Sequence, residues 1–130
     1  MKVLLVIDDE VDILETLALV LRMEGYSVLM ASNGKMGLER IKEKTPDLVI
    51  SDVMMPVMTG LEMLRSVRSN PATKQIPVLL MSAGQPPAEN ANYQWTEFMG
   101  KPLSLDHFLK VVAEILTNQS HQEGRYFHQQ

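Results

Sequence analysis

The sequence predicts an α/β protein built on a parallel β-sheet with helices on both faces. Short apolar runs alternate about five times with longer segments whose apolar residues recur at helical spacing. The apolar runs are continuous, as in strands that are covered on both faces. The 130 residues have the size of one domain. Ligands of such sheets bind beyond the carboxyl ends of the strands, so functional residues are expected there.

The first part of the chain contains two predicted strand–helix units. In the first helix Leu14, Leu17, Ala18 and Leu21 recur on one side. Gly25 then stands where a left-handed helix stop is expected. The predicted strands are 2–7 and 27–30, and the predicted helices are 10–24 and 35–44.

The second part continues the alternation less regularly. Strands are predicted at 47–51, 76–81 and 97–99, and helices at 61–68 and 105–116, the last with Ser104 as N-cap. Pro86 and Pro87 interrupt the helical pattern between the fourth and fifth strands, so the helix expected there is short or irregular. With it the chain has about five helices. Residues 1–118 form the predicted domain, and the polar residues 119–130 are expected to be a flexible tail.

Composition excludes several classes of function. The chain has no cysteine, which rules out disulfides, thiolate metal sites and cysteine catalysis. The net charge is −4 and the basic residues are scattered, which argues against direct binding of nucleic acid. The first apolar run is too short for a signal peptide, and no run is long enough to cross a bilayer. We expect a soluble, cytoplasmic protein that makes no contact with membranes.

Charged and hydroxyl side chains follow the predicted strands. Asp8 and Asp9 follow the first strand, Asp52 the third, Ser82 the fourth and Lys101 the fifth. Any one of them alone is more often a turn or cap residue, and Asp9 could also cap the first helix. Because all of them fall at the carboxyl ends of their strands, we expect them to converge on one edge of the sheet.

Such a cluster of acids needs a compensating charge. Two like charges about 4 Å apart cost roughly 4 kcal/mol at an effective dielectric near 20. Either a carboxylate takes up a proton or a cation occupies the site. Oxygen ligands without His or Cys favour Mg²⁺, which also binds phosphate oxygens. An aspartate can itself act as the nucleophile and form an aspartyl phosphate.

Four segments together resemble the receiver domains of bacterial response regulators, over about residues 2–117. They are Val6-Ile-Asp-Asp-Glu10, Pro46-Asp-Leu-Val-Ile-Ser-Asp-Val-Met-Met-Pro-Val-Met-Thr-Gly60, Pro77-Val-Leu-Leu-Met-Ser-Ala83 and Lys101-Pro102. The resemblance implies a flavodoxin-like, doubly wound five-stranded parallel sheet of order 2-1-3-4-5. It also implies a receiver of a two-component system that signals by conformational change.

The resemblance assigns the metal and phosphoryl ligands. Asp52 would accept the phosphoryl group from a histidine kinase or phosphotransfer protein. Mg²⁺ would be bound by Asp8, Asp9, Asp52 and the backbone carbonyl of Met54. Lys101 would contact the phosphoryl group, and its peptide bond to proline would be cis.

Two further positions would transmit the signal. Ser82 would move toward the phosphate, and Phe98 occupies the family's aromatic switch position. Trp95 is interpreted as filling space left by the shortened helix. The output protein is not identified by the sequence, and a phosphorylation-dependent homodimer is left open.

Other classes of protein would require different residues at this edge of the sheet. A haloacid-dehalogenase-like phosphatase would have a second aspartate two residues after the nucleophile, where this chain has Met54. A flavodoxin-like cofactor binder would have a Gly/Ser/Thr-rich loop where this chain has acids. A receiver-like interaction module that is not phosphorylated, and a receiver excised from a larger regulator or hybrid kinase, remain as alternatives. The chain is not expected to be an enzyme beyond its own Mg²⁺-dependent phosphorylation and dephosphorylation.

Overall fold

The structure is a computed structural model that describes residues 1–86 and 93–121, with side chains up to residue 118. All strand pairs are parallel, and the sheet has the order β2-β1-β3-β4-β5. This confirms the predicted doubly wound, flavodoxin-like sheet. The strands are Val3–Ile7 (β1), Ser27–Ala31 (β2), Leu48–Asp52 (β3), Val78–Ser82 (β4) and Glu97–Gly100 (β5). The helices are Val11–Met23 (α1), Gly34–Glu43 (α2), Gly60–Ser69 (α3) and Leu105–His121 (α4).

The described residues contain four helices, one fewer than predicted. The short or irregular helix was expected between β4 and β5, and residues 87–92 of that connection lie outside the described residues. The flanking residues 83–86 and 93–96 are not helical. At the other end, α4 continues to His121, and residues 122–130 of the predicted tail lie outside the described residues. None of the described helices is long and apolar enough to span a bilayer.

Apolar side chains cover both faces of the central strands. Leu4 and Val6 of β1 belong to one core layer with α1 and α4, and Leu5 and Ile7 belong to the other with α2 and α3. All four are fully buried. Burial of such a side chain contributes roughly 1.5–3 kcal/mol, which explains why β1 is a continuous apolar run.

Local signals fix several helix ends. Gly25 follows α1 with φ +98°, the left-handed conformation expected there. Thr59 and Glu62 form a reciprocal capping box at α3. The Ser104 hydroxyl accepts a hydrogen bond from the His107 N–H at 3.3 Å, as its predicted capping role requires.

Two arginines cover the outer edge of β2. The guanidinium of Arg22 on α1 donates to the carbonyl of Val28 at 3.0 Å. The guanidinium of Arg40 on α2 donates to the carbonyl of Met30 at 3.2 Å. The backbone groups of Ser27 and Ala31 bond toward β1, so Val28 and Met30 present the carbonyls that face outward.

The start of α3 lies directly against the end of β3. The Gly60 N–H donates to the Val53 carbonyl at 2.9 Å. A Cβ at Gly60 would collide with the backbone carbonyl of Asp52, so only glycine allows this approach. The loop after Asp52 is thereby held in a fixed position beside the carboxyl ends of the strands.

Candidate functional site

Three aspartates meet where β1 and β3 end. Ile7 pairs with Ser51, so Asp8 and Asp52 come next to each other on neighbouring strands. One carboxylate oxygen from each of Asp8, Asp9 and Asp52 lies within 4.8 Å of the others. Asp8 is fully buried and Asp52 is 5% exposed, whereas Asp9 is exposed. The predicted convergence of these acids is therefore present in the fold.

One ammonium group bridges two of the acids. The Nζ atom of Lys101 lies 3.3 Å from Oδ1 of Asp52 and 3.4 Å from Oδ2 of Asp8. Its backbone N–H donates to the carbonyl of Ser82 at 2.9 Å, which ties the end of β5 to β4. The peptide bond between Lys101 and Pro102 is cis, as the resemblance implied.

Burial and charge shift the pKa values of this group. Burial raises the pKa of Asp52, and the neighbouring Asp8 raises it further, while Lys101 acts in the opposite direction. For Lys101, burial alone lowers the pKa, but the fields of Asp8 and Asp52 together outweigh it, so the pKa lies above its usual value. Lys101 therefore stays charged, and one positive charge faces three carboxyl groups.

The donor set fits a hard divalent cation. Every ligand atom in the cluster of Asp8, Asp9 and Asp52 is a carboxylate oxygen. Oxygen donors of this kind suit Mg²⁺ better than a soft metal. A bound cation would also relieve the repulsion that raises the pKa of Asp52.

The hydrogen bonds of the acids leave part of Asp52 accessible. Oδ1 of Asp8 accepts from the Glu10 N–H at 2.9 Å, and Oδ1 of Asp52 accepts from the Val53 N–H at 3.0 Å. Among the described residues, no hydrogen bond or ion pair reaches Oδ2 of Asp52. The N-cap residue of α1 is Glu10, and its side chain makes no capping hydrogen bond. The expectation that Asp9 could cap this helix was therefore wrong.

A cavity of about 320 Å³ opens over these residues. Its walls include the side chain of Glu10, to which no role was assigned from the sequence, and the 69% exposed side chain of Met54, whose backbone carbonyl is a predicted metal ligand. The position of Glu10 directly after the two aspartates was the available signal for Glu10, whereas no sequence pattern indicated that the Met54 side chain would be exposed. Its lining residues are Asp9, Glu10, Asp52, Met54, Ala83 and Lys101.

The two predicted switch residues lie on neighbouring strands. Ser82 is 4% exposed, and its hydroxyl accepts from the Gly84 N–H at 3.0 Å. It follows Met81, the residue that pairs with Asp52. Phe98 pairs with Leu80 and is half-buried.

An aromatic row lies beside Phe98. The ring centroid of Trp95 is 5.2 Å from that of Phe98 and 6.4 Å from that of Tyr93. All three side chains are half-buried against the core layer of α2 and α3. Trp95 therefore packs on the protein's own core.

Comparisons with known proteins agree with this geometry. The family model of the response regulator receiver domain matches residues 4–113. The chain belongs to the response regulator receiver domain family. It is thus a receiver domain of a two-component response regulator.

Individual relatives show how far the likeness of this receiver extends. It is 33% identical to the response regulator MprA of Mycobacterium sp. (strain KMS) over 124 residues, which are 93% of this chain and 53% of that protein. The chain thus spans about half the length of the first curated relatives it matches.

Solved structures match the receiver over nearly their whole length. The chemotaxis response regulator CheY4 of Vibrio cholerae has a TM-score of 0.81 at 30% identity, over 88% of this chain and 98% of that one. The response regulator TrrA of Thermotoga maritima, solved in complex with Mg²⁺-BeF, has a TM-score of 0.80 at 31% identity, over 88% of this chain and 99% of that one.

Proposed function

We propose that this receiver is switched by Mg²⁺-dependent phosphorylation of Asp52. The observation that carries the proposal is the position of the buried Asp52 carboxylate, 3.3 Å from the Lys101 ammonium, beside the oxygens of Asp8 and Asp9. A nucleophilic carboxylate, a fixed positive charge and oxygen ligands for a cation are the components that phosphoryl transfer requires.

In the proposed reaction an oxygen of Asp52 attacks the phosphorus of a phosphohistidine. The P–N bond breaks, and the imidazole leaves with the bonding electron pair. Lys101 neutralises charge on the transferring oxygens. Mg²⁺, when held by Asp8, Asp9, Asp52 and the Met54 carbonyl, supplies further neutralisation of that charge.

The response of the fold would begin at Ser82. Its hydroxyl would exchange the Gly84 N–H for a phosphoryl oxygen, and the residues that follow β4 would move with it. Phe98 lies on the adjacent strand, and it lacks a hydroxyl, so its inward position can be stabilised only by packing. The receiver would catalyse no reaction other than its own phosphorylation and dephosphorylation.

The phosphodonor would be a histidine kinase or a phosphotransfer protein. A second cavity of about 570 Å³ adjoins the site and shares Ala83 and Lys101 with it. Apolar residues of α1 and of the segment before α4, among them Ile13, Leu17 and Leu103, line it. An apolar groove beside a phosphoryl-accepting carboxylate fits a protein donor that docks before transfer. Because such kinases act from the cytoplasm, we place the receiver there.

Acetyl phosphate tests the proposal without a kinase. With Mg²⁺ it should add one phosphoryl group to the intact wild-type protein, as measured by mass spectrometry. Asp52→Asn should gain nothing, while the matched variant Asp47→Asn at the other end of β3 should react like the wild type. If the wild type gains no phosphoryl mass, the chain is better described as an interaction module with the receiver fold.

A further inference from the structure

The apolar groove, the cavity of about 570 Å³ lined by Ile13, Leu17 and Leu103, is continuous with the cavity over Asp52. Ala83 and Lys101 belong to the walls of both cavities. The Nζ atom of Lys101 lies 3.3 Å from Oδ1 of Asp52, so the shared wall is next to the proposed phosphoryl acceptor. A group bonded to a phosphoryl oxygen above Asp52 can therefore extend into the groove.

The size and walls of the groove are those of a small-molecule site. Such sites typically have volumes of about 300–1,000 Å³ and mostly apolar walls. Ile13 and Leu103 are half-buried and pack against the core layer of α1 and α4, so the apolar wall is already formed in the fold. An alkyl chain that covers this wall removes apolar surface from water and is stabilised by that burial.

The charges of the groove restrict what it can bind. Among the described residues, the charged ones in its wall are Asp12 and Lys101. Lys101 lies at the end shared with the phosphorylation site and favours an anionic head group there. Asp12 is exposed on the first turn of α1 and disfavours a second anionic group. A ligand with one anionic end and one uncharged, apolar end matches this arrangement.

We propose that the groove binds the acyl chain of a small-molecule phosphodonor, so that the receiver prefers acyl phosphates with a medium-length alkyl chain to acetyl phosphate. Acetyl phosphate has no chain that reaches the apolar wall. The inference rests on the proposed phosphorylation of Asp52 and names the class of donor that the same site selects.

The transfer step balances without a further reactant. An oxygen of Asp52 attacks the phosphorus of the acyl phosphate, and a new P–O bond forms. The bond between phosphorus and the acyl oxygen breaks, and the carboxylate leaves with the bonding electron pair. No proton is taken up or released. The alkyl chain of the leaving carboxylate lies in the groove throughout.

The expected preference follows from the burial of methylene groups. Complete burial of one methylene corresponds to about fourfold in an equilibrium constant. Because the groove is open to solvent on one side, we expect about twofold for each, or about 15-fold for the four additional methylenes of hexanoyl phosphate. The chain makes the same contacts before and during transfer. The gain should therefore lower the half-saturating donor concentration and leave the maximal rate nearly unchanged.

The experiment compares three donors on the intact protein with Mg²⁺. Acetyl, hexanoyl and adipoyl phosphate are supplied over a range of concentrations, and mass spectrometry follows the phosphoryl group added to the protein. Hexanoyl phosphate should react about 15-fold faster than acetyl phosphate at low concentration. Adipoyl phosphate has the same number of carbons but ends in a carboxylate, so it should show little of this gain. Asp12→Asn should improve the adipoyl donor more than the hexanoyl donor.

Matched variants locate the chain in the groove. The exposed Thr16 lines the groove, so Thr16→Phe should fill part of it and bring the ratio of hexanoyl to acetyl rates toward one. Leu103→Ser removes part of the apolar wall and should lower the same ratio. Leu19 is exposed on the same helix and does not line the groove, so Leu19→Phe should keep the wild-type ratio. The ratio is measured within each variant, which corrects for any general loss of reactivity.

Binding of the product carboxylate gives a second readout that involves no phosphorylation. In NMR titrations hexanoate should shift the backbone amide signals of Ile13 and Leu103, and acetate should not. The absence of these shifts would overturn the inference, as would equal rates with hexanoyl and acetyl phosphate or equal ratios in Thr16→Phe and Leu19→Phe. Failure of the proposed function is a different result, in which the wild type takes up no phosphoryl group from any donor and both proposals fall.

Discussion

Aspartates stand at both ends of β3, in opposite settings. At the amino end, Asp47 and Val3 exchange two hydrogen bonds: the Val3 N–H donates to Oδ2 of Asp47, and the Asp47 N–H donates to the Val3 carbonyl, both at 2.7 Å. At the carboxyl end, Asp52 and Asp8 are buried side by side and share the ammonium of Lys101.

The difference separates stability from function within one strand. Asp47 links the start of β1 to β3 by hydrogen bonds to the backbone N–H and carbonyl of Val3. These backbone groups would otherwise require another hydrogen-bond partner. Burial and the neighbouring charge of Asp8 raise the pKa of Asp52, while the Lys101 ammonium opposes them. Three substitutions test this contrast, and a fourth tests a pKa shift on β5, away from both ends of β3.

The largest effect is expected on loss of the shared ammonium. Lys101→Met should slow phosphorylation by acetyl phosphate on the order of 100-fold, because a fixed donor to the transferring oxygens is lost. The time course of phosphoryl mass measures the rate. Lys110→Met, an exposed lysine on α4, is the control and should react at the wild-type rate. Equal rates for the two variants would show that Lys101 has only a structural role.

At the opposite end of the strand, Asp47→Ala should lower the free energy of unfolding by about 2 kcal/mol. It removes the charged acceptor of the Val3 N–H. Asp47→Asn keeps an acceptor oxygen and should cost less. Urea unfolding gives both values, and the phosphorylation rate of the folded protein should not change. A loss of phosphorylation with unchanged stability would reverse the assignment of the two ends.

Asp52→Asn should stabilise the protein when a chelator keeps Mg²⁺ away. The amide removes a buried charge that Asp8 repels, and the expected gain is about 1 kcal/mol. Urea unfolding at neutral pH measures the gain. A less stable Asp52→Asn protein would mean that the pairing with Lys101 outweighs burial and repulsion, and that Asp52 stabilises the fold as Asp47 does.

The smallest effect concerns Glu97 on β5, an exposed acid. Partial burial of its carboxyl group and then Glu114 raise its pKa, while His107 opposes them. The folded protein therefore holds this proton to higher pH than the unfolded chain does. Stability should fall as pH rises from about 4.3, the usual value for Glu, through the raised pKa.

The substitution Glu97→Gln should remove this decline. Because the side chain is exposed, solvent screening limits the gain at neutral pH to about 0.5 kcal/mol or less. Thermal unfolding across pH compares it with Glu39→Gln on α2. At low pH the two variants should show the same change in stability relative to the wild type. A gain in stability for Glu97→Gln at low pH would contradict the upward direction of the pKa shift.

Much of the fold was predictable because its strands are buried on both faces. Continuous apolar runs such as 3–7 and 78–81 have no other simple explanation in a chain of this composition. The errors lie at the ends. The strand predicted at 47–51 is Leu48–Asp52, because the pairing of Asp52 with Met81 extends the ladder by one residue.

The acidic site was predictable because parallel strands share their carboxyl edge. That rule brings Asp8, Asp52 and Lys101 together whatever their side-chain rotamers are. It does not determine that the Ser82 hydroxyl bonds to Gly84, or that Met54 faces solvent. These features depend on loop conformation and on long-range packing, which local spacing does not encode.

The guanidinium groups of Arg22 and Arg40 have a consequence for assembly. They occupy the outward carbonyls of β2 from both faces of the sheet. A strand from another molecule could join this margin only by displacing two charged groups, and natural proteins discourage such sheet extension in the same manner. At high concentration, copies of the protein should therefore not associate by strand pairing at β2. Contacts between them should form through side chains on other surfaces.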